Sequence, residues 1–305
     1  MLPATETELP SSAGHTIRLL TWAPDARPTH VIQILHGLGE YADRYARFAA
    51  AATQAGMAVA CHDHRGHGPK SEHLGFFADG DGWHQIFEDA RVVNERLRDQ
   101  YPDTPLVLLG HSMGSFLAQQ FAMHFGGELN GLVLSASTWP SRIQLFCAKG
   151  IAAIEALRVG KTGHSALLHA LGFSRFNSKF KPARTELDWL SRDEEEVDRY
   201  IADPCCGGPY SAQLWRDVTQ GLLNISTDNA LMRIPADLPI LLTAGTDDPI
   251  GGDRGIGNLA LHYAQTGHQR LKVKLYDGGR HELLNDTCRD QTTADWLEWI
   301  RAVPG

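Results

Sequence analysis

The sequence of 305 residues has no apolar run near the length of about 18 residues that a membrane-spanning helix needs. Its first twenty residues lack the basic stretch followed by an apolar stretch that marks a secretory signal. Cysteine is scarce: five residues are scattered along the chain, which is not the pattern of a small disulfide-stabilised secreted domain. We therefore expect a soluble, cytoplasmic protein with free thiols.

Positive charge is also in short supply. The chain carries 28 Lys and Arg residues against 36 Asp and Glu residues, a formal net charge of −8, and it has no block of basic residues. Because nucleic-acid binding is driven largely by neutralisation of phosphates, we expect no DNA or RNA partner. The 43% of hydrophobic residues excludes a disordered chain and suffices for the core of one large or two ordinary domains.

Short β-rich runs recur along the chain, and most of them are continuously apolar rather than alternating. Such runs indicate strands that are covered on both faces by helices, as in a parallel sheet. Helical periodicity lies between them, at residues 45–52, 86–97 and 118–125. This alternation predicts an α/β fold with a mostly parallel central sheet flanked by helices. The predicted strands are residues 17–22, 31–35, 57–61, 106–109, 131–134, 240–243 and 271–276.

The strand signals stop in the middle of the chain and return at Ile240. We predict a core formed by residues 1–137 and 236–305, interrupted by a helical insertion at residues 138–235.

The segment G-H-S-M-G at residues 110–114 lies between a predicted buried strand and a predicted helix. This is the context of a nucleophile elbow, in which a strained turn presents a serine. Side chains at Gly110 or Gly114 would collide with the neighbouring strand and helix, and Ser112 would take the strained position. The alternative is an ordinary glycine-rich turn.

A serine hydroxyl is a poor nucleophile unless a base takes its proton and a carboxylate orients that base. Two carboxylates, Asp247 and Asp248, stand at the end of a late predicted strand. His281 follows the last predicted strand, where a loop can bring its imidazole over the elbow, and Asp277 on the same loop is a fallback acid. His111, inside the elbow, is expected to be a packed neighbour.

Taken together, the motifs resemble α/β-hydrolases of the monoacylglycerol lipase and bacterial lysophospholipase-like group. The matching segments are H-G-L-G-E at 36–40, D-H-R-G-H-G at 63–68, G-H-S-M-G at 110–114, G-T-D-D at 245–248 and G-G-R-H at 278–281. The insertion is similar to that group's bacterial cap in F-x-P-A-R-T-E-L-D-W-L-S-R-D at 180–193 and D-P-C-C-G at 203–207.

The resemblance implies an α/β-hydrolase fold with a helical cap, and a catalytic triad of Ser112, Asp248 and His281. Asp248 is favoured over Asp247 because the family's acid stands three residues after a glycine, here Gly245. The resemblance also implies an oxyanion hole built from the backbone N–H groups of two residues, Leu38 and Met113. The chemistry needs no cofactor and no metal.

The implied substrate is the ester of a single-chain lipid, most simply a monoacylglycerol. A lysophospholipase and a general carboxylesterase use the same triad, and a peptidase with this triad stays open as well. A non-catalytic ligand-binding protein of the same fold would typically have lost a triad member, and none is missing here.

Two further interpretations compete for the glycine-rich and histidine-rich segments. Residues 37–42 fit a dinucleotide-binding pattern, with Asp63 at a suitable distance. Helical periodicity begins only at Tyr45, with Asp43 as a plausible N-cap, whereas a nucleotide site needs the helix to begin within the glycines. The histidines of residues 61–68 are expected to brace loops rather than bind a metal.

One segment of the insertion is both basic and amphipathic. Residues 141–184 contain eight Lys or Arg residues and a single acid, Glu155. An apolar stripe with flanking cations is typical of a surface that docks on anionic lipid, but it also suits a lid that covers a pocket. Both interpretations stay open. The stripe consists of Ile143, Phe146, Cys147, Ile151, Ile154 and Leu157, followed by Leu167, Leu168, Leu171 and Phe173.

Overall fold

A computed structural model describes residues 3–305, which fold around one mostly parallel β-sheet. In this part of the chain the sheet has eight strands in the order β1-β2-β4-β3-β5-β6-β7-β8. The pairs β1–β2 and β2–β4 are antiparallel, and all the others are parallel. The strands are β1 (Thr5–Pro10), β2 (Thr16–Trp22), β3 (Val31–Leu35), β4 (Ala58–His62), β5 (Leu106–His111), β6 (Gly131–Ser135), β7 (Ile240–Gly245) and β8 (Leu271–Tyr276).

Helices cover both faces of the sheet, which confirms the predicted α/β class. The helices of residues 3–305 are α1 (Ala46–Gln54), α2 (Gly82–Gln100), α3 (Met113–Phe125), α4 (Arg142–Val159), α5 (Ala166–Phe173), α6 (Glu194–Ala202), α7 (Ala212–Ile225), α8 (Asp228–Leu231), α9 (Gly252–Gln265) and α10 (Arg289–Arg301). Among the described residues, no helix combines the length and the apolar character that a membrane crossing requires.

The core consists of two apolar clusters, one on each face of the sheet. Trp83, Phe121 and Tyr263 anchor the first cluster, beneath α2, α3 and α9, and Phe48 and Trp296 anchor the second, beneath α1 and α10. Burying each such side chain contributes roughly 1.5–3 kcal/mol. The resulting rigid sheet brings the loops after β3, β5, β7 and β8 to one edge, since the carboxyl ends of parallel strands coincide.

Seven strands were predicted from the sequence, and β2 to β8 match them within two residues at each end. The sequence analysis missed β1, which is an exposed edge strand of mostly polar residues and so lacks an apolar signal. The proposed N-cap at Asp43 was wrong. Residues Ala42–Tyr45 form a 3-10 turn before α1, and the Asp43 carboxylate pairs with Arg18 at 2.7 Å. Because α1 begins at Ala46, its N-terminus does not lie in the glycine run that a dinucleotide site needs.

The chain between β6 and β7 carries α4 to α8, and α4 packs against α7. The buried side of α4 carries Leu145, Ala152 and Glu155. Most of its apolar stripe points the other way: Ile143 is 78% exposed and Leu157 is 89% exposed, whereas Ile151 is half-buried against Ala152 and Leu168. For α4, the interpretation that the stripe covers the pocket is therefore wrong.

Candidate active site

Ser112 lies at the turn between β5 and α3, with φ 50° and ψ −118°. A left-handed conformation in a non-glycine residue costs on the order of 1–3 kcal/mol and persists only where the surroundings enforce it. Here the backbone N–H of Ser112 donates to the carbonyl of Ser135 at 2.9 Å, and both the N–H and the hydroxyl of Ser115 donate to the Ser112 carbonyl. The strained turn is thus held by the next strand and by the first turn of α3.

Two glycines make the turn possible. A Cβ at Gly110 would collide with the backbone of Gly114 and Ser115, and a Cβ at Gly114 would collide with the carbonyl oxygen of Leu35 in β3. Both positions therefore need glycine for close backbone approach rather than for flexibility, as the steric argument from the sequence predicts.

His281 and Asp248 meet at the same edge of the sheet. The Nδ1 atom of His281 is 2.9 Å from Oδ1 of Asp248, and both side chains are buried. The N–H of Ile250 also donates to that carboxylate oxygen, at 2.9 Å. With Nδ1 engaged by the carboxylate, Nε2 of His281 is the atom left to exchange a proton.

The pair stabilises its charged forms mutually. Burial alone would raise the pKa of Asp248, but the imidazole of His281 and backbone N–H groups hold it below its usual range. Burial alone would lower the pKa of His281, but the Asp248 carboxylate raises it above its ordinary value. The arrangement suits a base that must briefly carry a positive charge.

The alternative acids lie elsewhere. Asp247 and Asp277 are both exposed, whereas Asp248 is 2% exposed. His111 packs beside the pair with its ring centroid 4.9 Å from that of His281, and burial lowers the pKa of His111 to about 3. His111 is therefore a neutral neighbour, as expected from its place inside the elbow.

The loop after β3 is fixed from both sides. Nε2 of His36 accepts from the N–H of His64 at 2.9 Å, so Nδ1 carries the hydrogen and donates to the carbonyl of Gly37 at 2.8 Å. The carboxylate of Glu40 accepts from the N–H of Gly37 and from the hydroxyl of Tyr45. This loop brings Leu38 to the cavity that Ser112 and Met113 also line.

That cavity has a volume of about 1050 Å³ and runs from Ser112 and His281 into the helical insertion. Apolar side chains dominate its lining, and Phe173 of α5 is the centre of an aromatic cluster in its wall. The volume is at the upper end for a small-molecule pocket, which allows a ligand with a long apolar chain. The aromatic lining residues are Phe116, Phe173, Phe176, Trp189, Tyr200, Tyr210 and Trp215.

The sequence analysis missed two groups at this site. The indole of Trp189 lies 4.9 Å from the His281 imidazole, centroid to centroid. The guanidinium of Arg44 pairs with the carboxylate of Glu282, the residue after His281. Its Nε atom also lies 3.6 Å from the Glu40 carboxylate. The only available signals were the D-W-L-S-R-D motif, which contains Trp189, and the place of Arg44 four residues after the H-G-L-G-E motif, and sequence spacing identified no partner for either residue.

The histidines at the end of β4 and in the loop that follows form a buried cluster with His36: the ring centroids of His36 and His64 are 4.1 Å apart, and those of His62 and His64 are 4.9 Å apart. Within residues 3–305 no group of three or more His, Cys, Asp or Glu side chains is arranged to hold a metal ion.

Known proteins match almost the whole chain. A family model described as serine aminopeptidase, S33 (Hydrolase_4) matches residues 26–288. The chain is 26% identical over 312 residues to a monoacylglycerol lipase of Mycolicibacterium smegmatis, covering 98% of this chain and 99% of that protein. It is 27% identical over 267 residues to the human monoglyceride lipase, covering 86% and 78% of the two chains. The crystal structure of a carboxyl esterase from Bacillus coagulans in complex with glycerol superposes with a TM-score of 0.89 at 27% identity, covering 99% of both chains. The sheet, the elbow and these matches together establish that the chain belongs to the serine aminopeptidase S33 family and has the α/β-hydrolase fold.

Proposed function

We propose that the protein hydrolyses carboxylic esters through an acyl-enzyme on Ser112. The observation that carries this proposal is the buried contact between His281 and Asp248, next to a strained serine that faces the same apolar cavity. A serine, an imidazole and an orienting carboxylate at one sheet edge are the groups that acyl transfer requires.

In the proposed reaction, Nε2 of His281 takes the proton of Ser112 as its oxygen attacks the ester carbonyl. The negative charge that develops on the carbonyl oxygen is stabilised by the backbone N–H groups of Leu38 and Met113, each worth about 3 kcal/mol. His281 then returns the proton to the leaving alcohol, and water releases the acyl group through the same base. Asp248 holds the imidazole tautomer throughout.

The substrate class follows from the cavity. An apolar space of about 1050 Å³ accommodates one long acyl chain, and the relatives named monoacylglycerol lipase match nearly the full chain. The protein is thus a carboxylic ester hydrolase of the monoacylglycerol lipase type, with the ester of a single-chain lipid as substrate. Residues 138–235 act as a cap that supplies most of the acyl-binding wall.

The cap also carries a surface for an anionic bilayer. The exposed stripe of α4 is continued on α5 by Leu167 and Leu171, which are exposed, while Phe173 of α5 lines the cavity. The exposed cations Lys179 and Lys181 follow in sequence. A lipid in the membrane would therefore meet apolar surface on the same helix that borders the pocket.

A panel of esters with graded chains tests the substrate class. Monoacylglycerols, lysophospholipids, p-nitrophenyl esters and an aminopeptidase substrate are compared by kcat/KM, with Ser112→Ala as the blank. We expect kcat/KM to rise from short to long monoacylglycerols and to exceed that of the lysophospholipids. A preference for acetyl esters or for the peptide would contradict the proposal.

A further inference from the structure

Residues 188–193, D-W-L-S-R-D, lie inside the insertion but contact the core. They run from the 3-10 turn Asp188–Leu190 to Asp193, whose side chain caps α6. We refer to residues 188–193 as the strap and to residues 277–289, which follow β8 and contain His281, as the histidine loop. The strap lies along the histidine loop over its whole length.

The backbones of the two segments are hydrogen-bonded to each other. The N–H of His281 donates to the carbonyl of Trp189 at 3.3 Å, and the N–H of Glu282 donates to the carbonyl of Leu190 at 2.8 Å. The hydroxyl of Ser191 adds a third bond, to the carbonyl of Asn285 at 2.9 Å. The strap therefore holds the main chain of His281 itself and of the residue that follows it.

A buried carboxylate anchors the strap to the loop. Asp286 is fully buried, and its oxygens accept from the backbone N–H and the Nε of Arg192, at 3.1 and 2.7 Å, and from the N–H of Arg280 at 3.2 Å. At the far end, Arg289 donates to the carboxylate of Asp193 at 2.6 Å. Because a buried charge requires its partners, these contacts favour one arrangement of the two segments.

Arg280, the residue before His281, contacts the insertion at three points. Its guanidinium donates to the carbonyls of Asp188 at 2.6 Å and Ser191 at 2.8 Å. It also lies over the ring of Phe180, with Cζ 4.2 Å from the ring centroid. Both carbonyls accept from the same nitrogen, Nη1, and the flat guanidinium stacks on the aromatic ring, a contact that a lysine ammonium does not reproduce.

We propose that the strap is the positioning element of the active site and that Arg280 is its central positioning residue, which orients the His281 imidazole between Asp248 and Ser112. Loops are the mobile parts of a fold, whereas general-base catalysis depends on the base being held within a fraction of an ångström of its place. The sheet fixes Ser112 and Asp248 through β5 and β7. His281 stands five residues beyond β8, and the strap supplies the constraint that the sheet does not. This proposal rests on the role proposed above for His281.

The test replaces Arg280 by Met and by Lys, with Arg47→Met as the matched control. Arg47 of α1 also links the core to the insertion, through Glu196 of α6, but it does not contact the histidine loop. Each purified variant is assayed for kcat and KM on a soluble p-nitrophenyl ester, for its rate of labelling by a fluorophosphonate, for the pH profile of kcat/KM and for its thermal unfolding midpoint.

For Arg280→Met we expect kcat and the labelling rate to fall about 10-fold while KM changes less than about 2-fold, because the base is misplaced but the cavity is intact. The acid limb of kcat/KM moves to lower pH, since a looser contact with Asp248 stabilises the charged imidazole less. The kcat and labelling rate of Arg280→Lys should lie between those of Arg280→Met and the wild type. Arg47→Met should keep the wild-type kcat and pH profile.

A folded Arg280→Met variant with wild-type kcat and labelling rate overturns the proposal, as does an equal loss in Arg47→Met. If Arg280→Met does not fold, Phe180→Leu replaces it, since this change removes only the ring beneath the guanidinium. We then expect kcat to be about 2- to 3-fold lower and the acid limb of kcat/KM again to move to lower pH. An unchanged kcat and an unchanged acid limb overturn the proposal. Absence of labelling in the wild type would instead refute the proposed function.

Discussion

At Ser112 the unusual feature is the backbone. The left-handed φ of 50° is enforced by hydrogen bonds from Ser115 and to Ser135, and glycines at 110 and 114 remove the side chains that would block it. The strain is local, and the packed sheet outweighs it. The turn presents the serine to the cavity without any contribution from the insertion.

The identity of the acid is a prediction at this scale. Replacing Asp248 by Asn should lower kcat by about 10³- to 10⁴-fold, because the imidazole loses the charge that sets its tautomer and orientation. Asp247→Asn, an isosteric change at the exposed neighbour, should cost less than about 3-fold. Steady-state kinetics on a soluble ester measure both variants, and thermal unfolding establishes that they are folded. Similar losses in the two variants would contradict the assignment.

The pH dependence of the reaction follows from the His281 environment. The pKa of His281 is raised by Asp248, and the base works only when neutral, so kcat/KM should fall on acidification with an apparent pKa above about 6.5. In Asp248→Asn, burial acts without the compensating charge, and the residual activity should show an acid limb below about 6.5. Asp277→Asn, at an exposed position, is the control and should keep the wild-type limb. An acid limb that stays in place in Asp248→Asn would argue against the contact.

Sequence reasoning predicted Ser112, His281 and one of Asp247 and Asp248 because each follows a strand in a local motif, and the family resemblance favoured Asp248. It did not find the contacts of Arg280, Trp189 or Glu40, since their partners lie far away in the chain. The motif around 188–193 was visible, but its partner loop lies about 90 residues later. Such pairing depends on how the insertion folds back over the core, which local periodicity does not encode.

Among the elements, α4 is the one that the sequence described only in part. Periodicity gave its apolar stripe correctly, but a stripe indicates that one helix face is apolar and does not say which neighbour covers it. In the structure α4 packs on α7 through its other face, which leaves Ile143, Ile154 and Leu157 exposed. For β1 the apolar pattern is missing altogether, because an exposed strand at the sheet edge needs no apolar residues. Periodicity therefore could not predict this strand.

The stripe predicts membrane binding. The protein should cosediment with vesicles of anionic lipid but not with zwitterionic vesicles, and salt should weaken the binding by screening the cations. Ile143→Glu combined with Leu157→Glu, or Lys179→Glu combined with Lys181→Glu, should reduce it further.

Leu261→Glu is the matched control for this experiment, because Leu261 is an exposed apolar residue on α9, outside the cap. It should bind vesicles as the wild type does, and all variants should keep wild-type kcat on a soluble ester. Equal binding to both vesicle types, or none to either, would contradict docking through α4.

For the molecule as a whole, the buried histidines couple stability to pH. His36 in the loop after β3, His62 at the end of β4, and His64 and His67 in the next loop form one cluster. Burial lowers the pKa of each, to about 4 for His62 and His67. An unfolded histidine titrates near pH 6.5, so below that pH the unfolded chain binds more protons than the folded one. Stability is therefore fully present above about pH 6.5 and is lost progressively towards pH 4.

His62 and His67, whose folded pKa values are about 4, should each cost on the order of 2 kcal/mol of unfolding free energy at pH 5, and His36 and His64 should act in the same direction. We expect the thermal unfolding midpoint to be nearly constant from pH 7 to 8 and to fall steeply below pH 6.5. His62→Leu should make the decline shallower, and His73→Leu, at an exposed position, should leave it unchanged. A midpoint that does not depend on pH between 5 and 8 would contradict the account.

The central claim is that the folded protein is a serine hydrolase whose nucleophile is Ser112. Covalent labelling by a fluorophosphonate probe tests it most directly, because the probe reacts only with a serine that an adjacent base activates. We predict stoichiometric labelling of the wild type, and a folded Ser112→Ala variant that takes up no label and has lost several orders of magnitude of ester turnover. Labelling at full strength in Ser112→Ala would contradict the claim.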